Sequence, residues 1–130
     1  MHVLLAEDDL ASQVIVRQIL ERLGHCVAVV GNGIEAVEAT EHWRFDAILM
    51  DIQMPIMDGF TATVQIRERE RAKSFRTPIV ALNSIDLGEI FLEAGMDGYL
   101  PKPANTESIQ EALGAVMASA AHRSPSIKRK

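Results

Sequence analysis

The chain has 130 residues, 48% of them hydrophobic and 24% charged, with a formal net charge of -5. That length suits one domain with one real core. The acidic balance disfavours non-specific nucleic-acid binding, which needs a basic face, so no direct nucleic-acid partner is expected. One Trp, one Tyr and four Phe leave the core to aliphatic side chains. A single cysteine, Cys26, excludes an internal disulfide framework and suits a reducing, cytoplasmic compartment. It lies in an apolar segment, residues 26–30, and reads as buried and inert. No apolar run approaches about 18 residues, so membrane insertion is not expected, and Glu7 comes too early for a signal peptide. His2, His25, His42 and His122 share no metal-ligand spacing and read as surface or edge residues.

Residues 3–6 are a short apolar run, the first expected strand, and end directly in Glu7-Asp8-Asp9. From residue 10 to 23, Ile15, Val16, Ile19, Leu20 and Leu23 recur at helical spacing, and Gly24 ends the helix. Residues 25–30 form a second strand and Gly31-Asn32-Gly33 a loop. A second helix is expected over 34–43, with Ile34, Val37, Ala36 and Ala39 inward and Trp43 packed near its end. The run 45–50 has the length and aliphatic content of a buried parallel strand. It leads into Asp51-Ile52-Gln53-Met54-Pro55-Ile56-Met57-Asp58-Gly59, where Pro55 and Asp58-Gly59 hold a turn and Asp58 is a good N-cap.

A third helix is expected over 60–72, and its charge run, Arg67 to Arg71, reads as a solvated face. Residues 77–82 are a fourth strand, followed by Asn83-Ser84 and a short helical pattern stopped at Gly95. Residues 97–100 are a fifth strand and Pro101-Lys102-Pro103 breaks the chain. A last helix spans about 105–120, with Ile109, Leu113, Val116 and Met117 on one stripe. Residues 1–121 thus form one domain, and 122–130 read as a basic polar tail or linker. Strand and helix alternating five times predicts an α/β fold, a parallel sheet with helices on both faces.

In that topology the carboxyl ends of the strands meet at one rim, where such sheets place ligands. Glu7, Asp8 and Asp9 follow strand one, Asp51 ends strand three, Asn83 and Ser84 follow strand four, and Lys102 follows strand five. Clustered carboxylates repel unless a cation sits among them. Mg²⁺ suits such oxygen ligands, and a lysine beside them can neutralise a phosphoryl group. Together these parts describe phosphoryl transfer onto a carboxylate nucleophile.

Glu7-Asp8, Asp51 with the following Met-Pro-x-Met-Asp-Gly, Tyr99 and Lys102-Pro103, in this order, resemble the CheY-like receiver domains of two-component response regulators. The local style resembles the receivers of hybrid histidine kinases. The resemblance covers residues 1 to about 120 and implies a flavodoxin-like, doubly wound sheet of strand order 2-1-3-4-5. It implies that Asp51 is the phosphoacceptor, served by a histidine kinase or a histidine phosphotransfer domain. The module would catalyse only its own phosphorylation and dephosphorylation. Asp8, Asp51 and the Gln53 carbonyl would hold Mg²⁺, for which Mn²⁺ can substitute, and Glu7 would hold a metal-bound water. Lys102 would contact the phosphoryl oxygens and Tyr99 would change rotamer. The Lys102-Pro103 bond would be cis. Output would come from the surface around helix 4, strand 5 and helix 5.

One departure stands out. Asn83 occupies the place where the family has Thr or Ser, with Ser84 next, and the stretch between Pro78 and Gly95 is a few residues short. The expectation is a receiver that accepts phosphate with altered coupling from Asp51 to Tyr99. The alternative is a pseudo-receiver that acts through protein contacts without phosphate. A haloacid-dehalogenase-type phosphatase would need Asp-x-Asp after the first strand. A flavin or nucleotide domain would need a glycine- or hydroxyl-rich first loop.

Overall fold

The computed structural model describes residues 1–83 and 90–123. Strands β1 (His2–Ala6), β2 (Cys26–Val30), β3 (Ala47–Asp51), β4 (Ile79–Asn83) and β5 (Gly98–Pro101) alternate with helices α1 (Leu10–Arg22), α2 (Gly33–His42), α3 (Gly59–Glu70), α4 (Ile90–Glu93) and α5 (Thr106–Arg123). All pairings are parallel, in the order β2-β1-β3-β4-β5. The order reverses between β1 and β3, which opens a crevice at their carboxyl ends. Ala6 lies opposite Met50, Asp51 opposite Leu82, and Asn83 opposite Pro101, so these strands finish at one edge.

Period-2 alternation builds two cores from the same strands. Val3, Leu5, Leu49, Val80 and Leu82 face Val16 and Leu20 of α1 and Ile109 and Leu113 of α5. Leu4, Ala6, Ile48, Met50 and Ala81 face Ala36 and Val37 of α2 and Ala62 and Ile66 of α3. Both faces are dry, which is why the strands read as continuous apolar runs. Each fully buried Leu or Ile contributes about 1.5–3 kcal/mol of transfer free energy.

Helix ends follow local chemistry. Asp9, Asn32 and Asp58 cap α1, α2 and α3, accepting from the amides of Ser12, Glu35 and Thr61. Such a cap is worth about 1 kcal/mol. Gly24 closes α1 at φ +95°, a conformation that favours glycine.

Four expectations are corrected. Cys26 is exposed: it opens the edge strand β2, which has no neighbouring strand on one side among the described residues. Trp43 is 65% exposed, because it leaves α2 in extended conformation while Phe45 fills the core in its place. Ile34 is exposed, and Ala36 and Val37 carry the packing of α2. The charge run of α3 is not uniformly solvated. Arg67 and Glu70 turn inward, 12% and 9% exposed, and pair at 2.7 Å. Arg67 also meets Asp97 at 2.7 Å and donates to the Gly95 and Thr77 carbonyls. Burial alone would raise the Asp97 carboxyl, but Arg76, the Ile79 amide and Arg67 hold it below the usual range.

α5 continues three residues past the expected end at Ala120, so His122 and Arg123 belong to it. Residues 124–130 and Ser84–Glu89 lie outside the described residues, and with them the expectations for the tail and for Ser84.

Candidate functional site

The crevice between β1 and β3 holds the acids. Glu7 follows β1 directly, its amide still donating to the Val30 carbonyl at 3.0 Å, so its side chain is fixed at the sheet edge and fully buried. Asp51 is the last residue of β3 and 3% exposed. Glu7, exposed Asp8 and Asp51 each offer an oxygen within 4.8 Å of the others. Asp9 turns away to cap α1, while its amide donates to Glu7 Oε2 at 3.1 Å.

Lys102 enters from β5. Its amide donates to the Asn83 carbonyl at 2.9 Å, and the Lys102-Pro103 peptide is cis. Its ammonium lies 3.1 Å from Asp51 Oδ2 and 2.7 Å from Glu7 Oε1. The bond to Asp51 is a directed hydrogen bond. Glu7 Oε1 is buried, and its contact with the ammonium is an ion pair.

These contacts set the protonation equilibria. Burial raises the Asp51 carboxyl to about 7, Glu7 adds to the rise, and Lys102 opposes it. Burial would lower the Lys102 ammonium, but Glu7 and Asp51 together leave it raised. Three carboxylates against one ammonium leave a formal excess of two negative charges. An all-oxygen ligand set and that excess fit a hard divalent cation.

The remaining residues frame the cleft. Asn83 is buried at the end of β4, and its carbonyl also accepts from the Tyr99 hydroxyl at 3.3 Å. Tyr99 is half-buried against the core on the α2 and α3 side. The Gln53 amide points at Asp51 Oδ1, 3.3 Å away. Gly59 is required sterically, since a Cβ there would sit 2.2 Å from the Asp51 carbonyl oxygen.

Ile56 is a residue the sequence reading left unassigned. It sits at φ +70° in a three-residue turn closed by the Met57 amide on the Pro55 carbonyl. That conformation is unfavourable for a β-branched residue and stores strain in the connection between Asp51 and α3. The surrounding Pro55 and Asp58-Gly59 announced a turn, but nothing in the residue type pointed to Ile56 itself. Its side chain is 76% exposed, as are Leu10, Val14 and Ile15 of α1 by half or more.

Comparison with known proteins agrees with this geometry. The family model described as "Response regulator receiver domain" matches residues 3–114. "Probable histidine kinase 2" of Oryza sativa subsp. indica is 39% identical over 133 residues, covering 89% of this chain and 13% of that protein. The chain therefore spans a small part of the curated relatives it matches. Among solved structures, the receiver domain of a Pseudomonas aeruginosa sensor histidine kinase has magnesium coordinated in its active-site cleft. It is 39% identical, with TM-score 0.82 over 90% of this chain and 97% of that one. The receiver domain of Saccharomyces cerevisiae Ssk1, solved with the histidine phosphotransfer protein Ypd1, is 28% identical, with TM-score 0.80 over 92% and 91%. With the family model matched over most of its length and the acids and lysine gathered at the matching strand ends, the chain belongs to the response regulator receiver domains of two-component signalling.

Proposed function

We propose that this domain accepts a phosphoryl group on Asp51 from a phosphohistidine of a histidine kinase or histidine phosphotransfer partner. The observation that carries the reading is the Lys102 ammonium set between Asp51 and Glu7 at 3.1 and 2.7 Å. An Asp51 oxygen bonds to phosphorus as the P–N bond of the phosphohistidine breaks. The imidazole nitrogen leaves with the electron pair, and a proton already on the other ring nitrogen lets the ring depart as neutral imidazole. Lys102 moves its charge from the carboxylates to the phosphoryl oxygens, and burial keeps that interaction strong.

The residues that would hold Mg²⁺, or Mn²⁺ in its place, are Asp8, Asp51 and the Gln53 carbonyl, with Glu7 on a bound water. The ion supplies charge neutralisation for the phosphoryl oxygens. It also answers the excess negative charge that Lys102 leaves behind.

The partner has a platform. Leu10, Val14, Ile15 and Ile56 are exposed apolar side chains on the elements that follow Glu7 and Asp51. A cleft of about 240 Å³ beside Lys102 is lined by Ser12, Ile15, Val16 and Pro103. Exposed apolar groups next to a polar centre favour docking of another protein's apolar face. The reading extends to a domain expected over residues 1–121 and carried by α5 to Arg123, fused to, or working with, a hybrid kinase, in a cytoplasmic setting suited to the exposed thiol of Cys26.

Asn83 supports altered output. Its planar amide has two donors in a fixed geometry, and its carbonyl already engages both Lys102 and Tyr99. Phosphorylation then shifts the surface around α4, β5 and α5 less than a hydroxyl at this position would allow. A purely protein-contact module is the second reading, favoured by the same residue. Intact mass after incubation with acetyl phosphate separates them. One added phosphoryl group requiring Mg²⁺ supports the acceptor, and no adduct together with no beryllofluoride-induced NMR shift supports the contact module.

A further inference from the structure

The pole of the domain opposite Asp51 carries a second charged feature. Residues 69–76 hold four of the chain's 13 lysines and arginines against one acid, in a protein with more acids than bases. The acid, Glu70, is buried on Arg67 and the Thr77 amide. Arg76 pairs with Asp97 and Arg69 with Glu41. Arg71 and Lys73, with Arg44 from the α2–β3 connection, are exposed and have no ion pair among the described residues. The Arg44 guanidinium carbon lies over the Phe75 ring, 4.0 Å from its centroid, and the Lys73 ammonium lies 5.8 Å from the same centroid. Trp43, the chain's one tryptophan, is next to Arg44 and 65% exposed.

A guanidinium held over an aromatic ring has lost part of its rotamer freedom before anything binds, and its fork still fits a carboxylate bidentately. An exposed tryptophan beside an arginine has the composition of an interface anchor. Three cations with no ion pair among the described residues fall short of the clusters of about four to eight that hold anionic membranes. The overall charge of -5 opposes a long polyanion such as nucleic acid. A short acidic segment of a polypeptide meets neither objection.

We infer that Arg44, Lys73 and Arg71, with Phe75 and Trp43, form a docking patch for an acidic polypeptide segment carrying an apolar side chain. The inference does not rest on phosphorylation of Asp51. The patch flanks the amino end of β3, four residue rises or about 13 Å along the strand from Asp51, so it is open while the cleft is engaged.

Trp43 is the chain's one tryptophan, so intrinsic fluorescence reads a single position, adjoining Arg44 in the chain. The full chain is titrated with a synthetic peptide of alternating glutamate and leucine, with a lysine–leucine peptide and phosphatidylserine vesicles as comparisons. The expected result is a saturable blue shift with the glutamate peptide, weakened by added salt. Amide shifts stay within about residues 41–46 and 69–76. Arg44→Ala with Lys73→Ala weakens binding at least about tenfold, the size of one or two charge-assisted hydrogen bonds. The variant keeps its melting temperature and its phosphoryl uptake at Asp51. Lys73→Glu alone does the same more strongly. The inference is overturned by no saturable change, by equal binding in the variants, by shifts mapping elsewhere, or by binding to vesicles alone.

Discussion

The Lys102 ammonium touches Asp51 and Glu7 at once, 3.1 and 2.7 Å away, so one cation serves two buried carboxylates. Everything the site can do depends on how that shared charge is redistributed. Lys102→Ala leaves two buried acids facing each other. We expect phosphoryl uptake from acetyl phosphate to fall on the order of a hundredfold, the scale for losing one preorganised electrostatic partner. Stopped-flow or timed mass measurements check it.

The pH dependence of the metal-free protein follows from Asp51. Its carboxyl is raised from 3.8 to about 7, chiefly by burial. A raised acid binds its proton more tightly folded than unfolded, so the destabilisation is absent below the unfolded value. It grows as pH climbs from about 4 to about 7, then stays constant. In EDTA, stability should therefore decline over that window. Asp51→Asn should flatten the decline and be more stable than wild type at pH 7.5, by no more than a few kcal/mol at about 1.4 kcal/mol per pKa unit. Urea denaturation across pH 4–8 measures both curves. Restoring Mg²⁺ should stabilise wild type and leave Asp51→Asn nearly unchanged.

Gly59→Ala tests the joint between α3 and the acceptor strand. The added Cβ would lie 2.2 Å from the Asp51 carbonyl oxygen, and backbone must move to admit it. A loss of about 3 kcal/mol or more is expected in chemical denaturation, at the upper end of overpacking costs.

Ile56→Gly tests the strained turn. At φ +70°, glycine removes the steric penalty, while Pro55 and the Asp58 cap keep the turn shape. Relief of about 1 kcal/mol is set against a more flexible unfolded chain, so stability should hold or rise slightly. Transfer from a phosphohistidine partner should nevertheless slow, because an exposed apolar contact is lost. Acetyl phosphate, which needs no docking, should be used at the wild-type rate.

Arg67→Ala probes the polar core that periodicity concealed. Without the guanidinium, Glu70 and Asp97, 9% and 6% exposed, lose a partner in a poorly solvated place. Breaking a buried pair in this way costs about 3–5 kcal/mol, readable in thermal or urea unfolding.

Much of this was legible in the chain itself. Apolar runs ending in Glu7, Asp51 and Asn83, with helical patterns between them, were enough to place the acids and Lys102 at one rim, because parallel topology leaves no other arrangement. The misreadings share a cause. Cys26 sits in an apolar run, but edge position in the sheet is set by strand order, which local pattern does not encode. Arg67 looks like any residue of an alternating charge run. Its burial depends on Asp97, thirty positions on, being brought beside it by the β4–β5 pairing. Ile56 is hidden for the opposite reason: its backbone conformation is imposed by neighbours against its own preference.

The central claim is that Asp51 carries the phosphoryl group, and trapping the acyl phosphate tests it most directly. The protein is incubated with acetyl phosphate and Mg²⁺, reduced with borohydride, digested and mapped by tandem mass spectrometry. The account predicts homoserine at position 51, absent when Mg²⁺ is chelated and absent in Asp51→Ala. Modification at another acid, or an adduct that persists in Asp51→Ala, would contradict it.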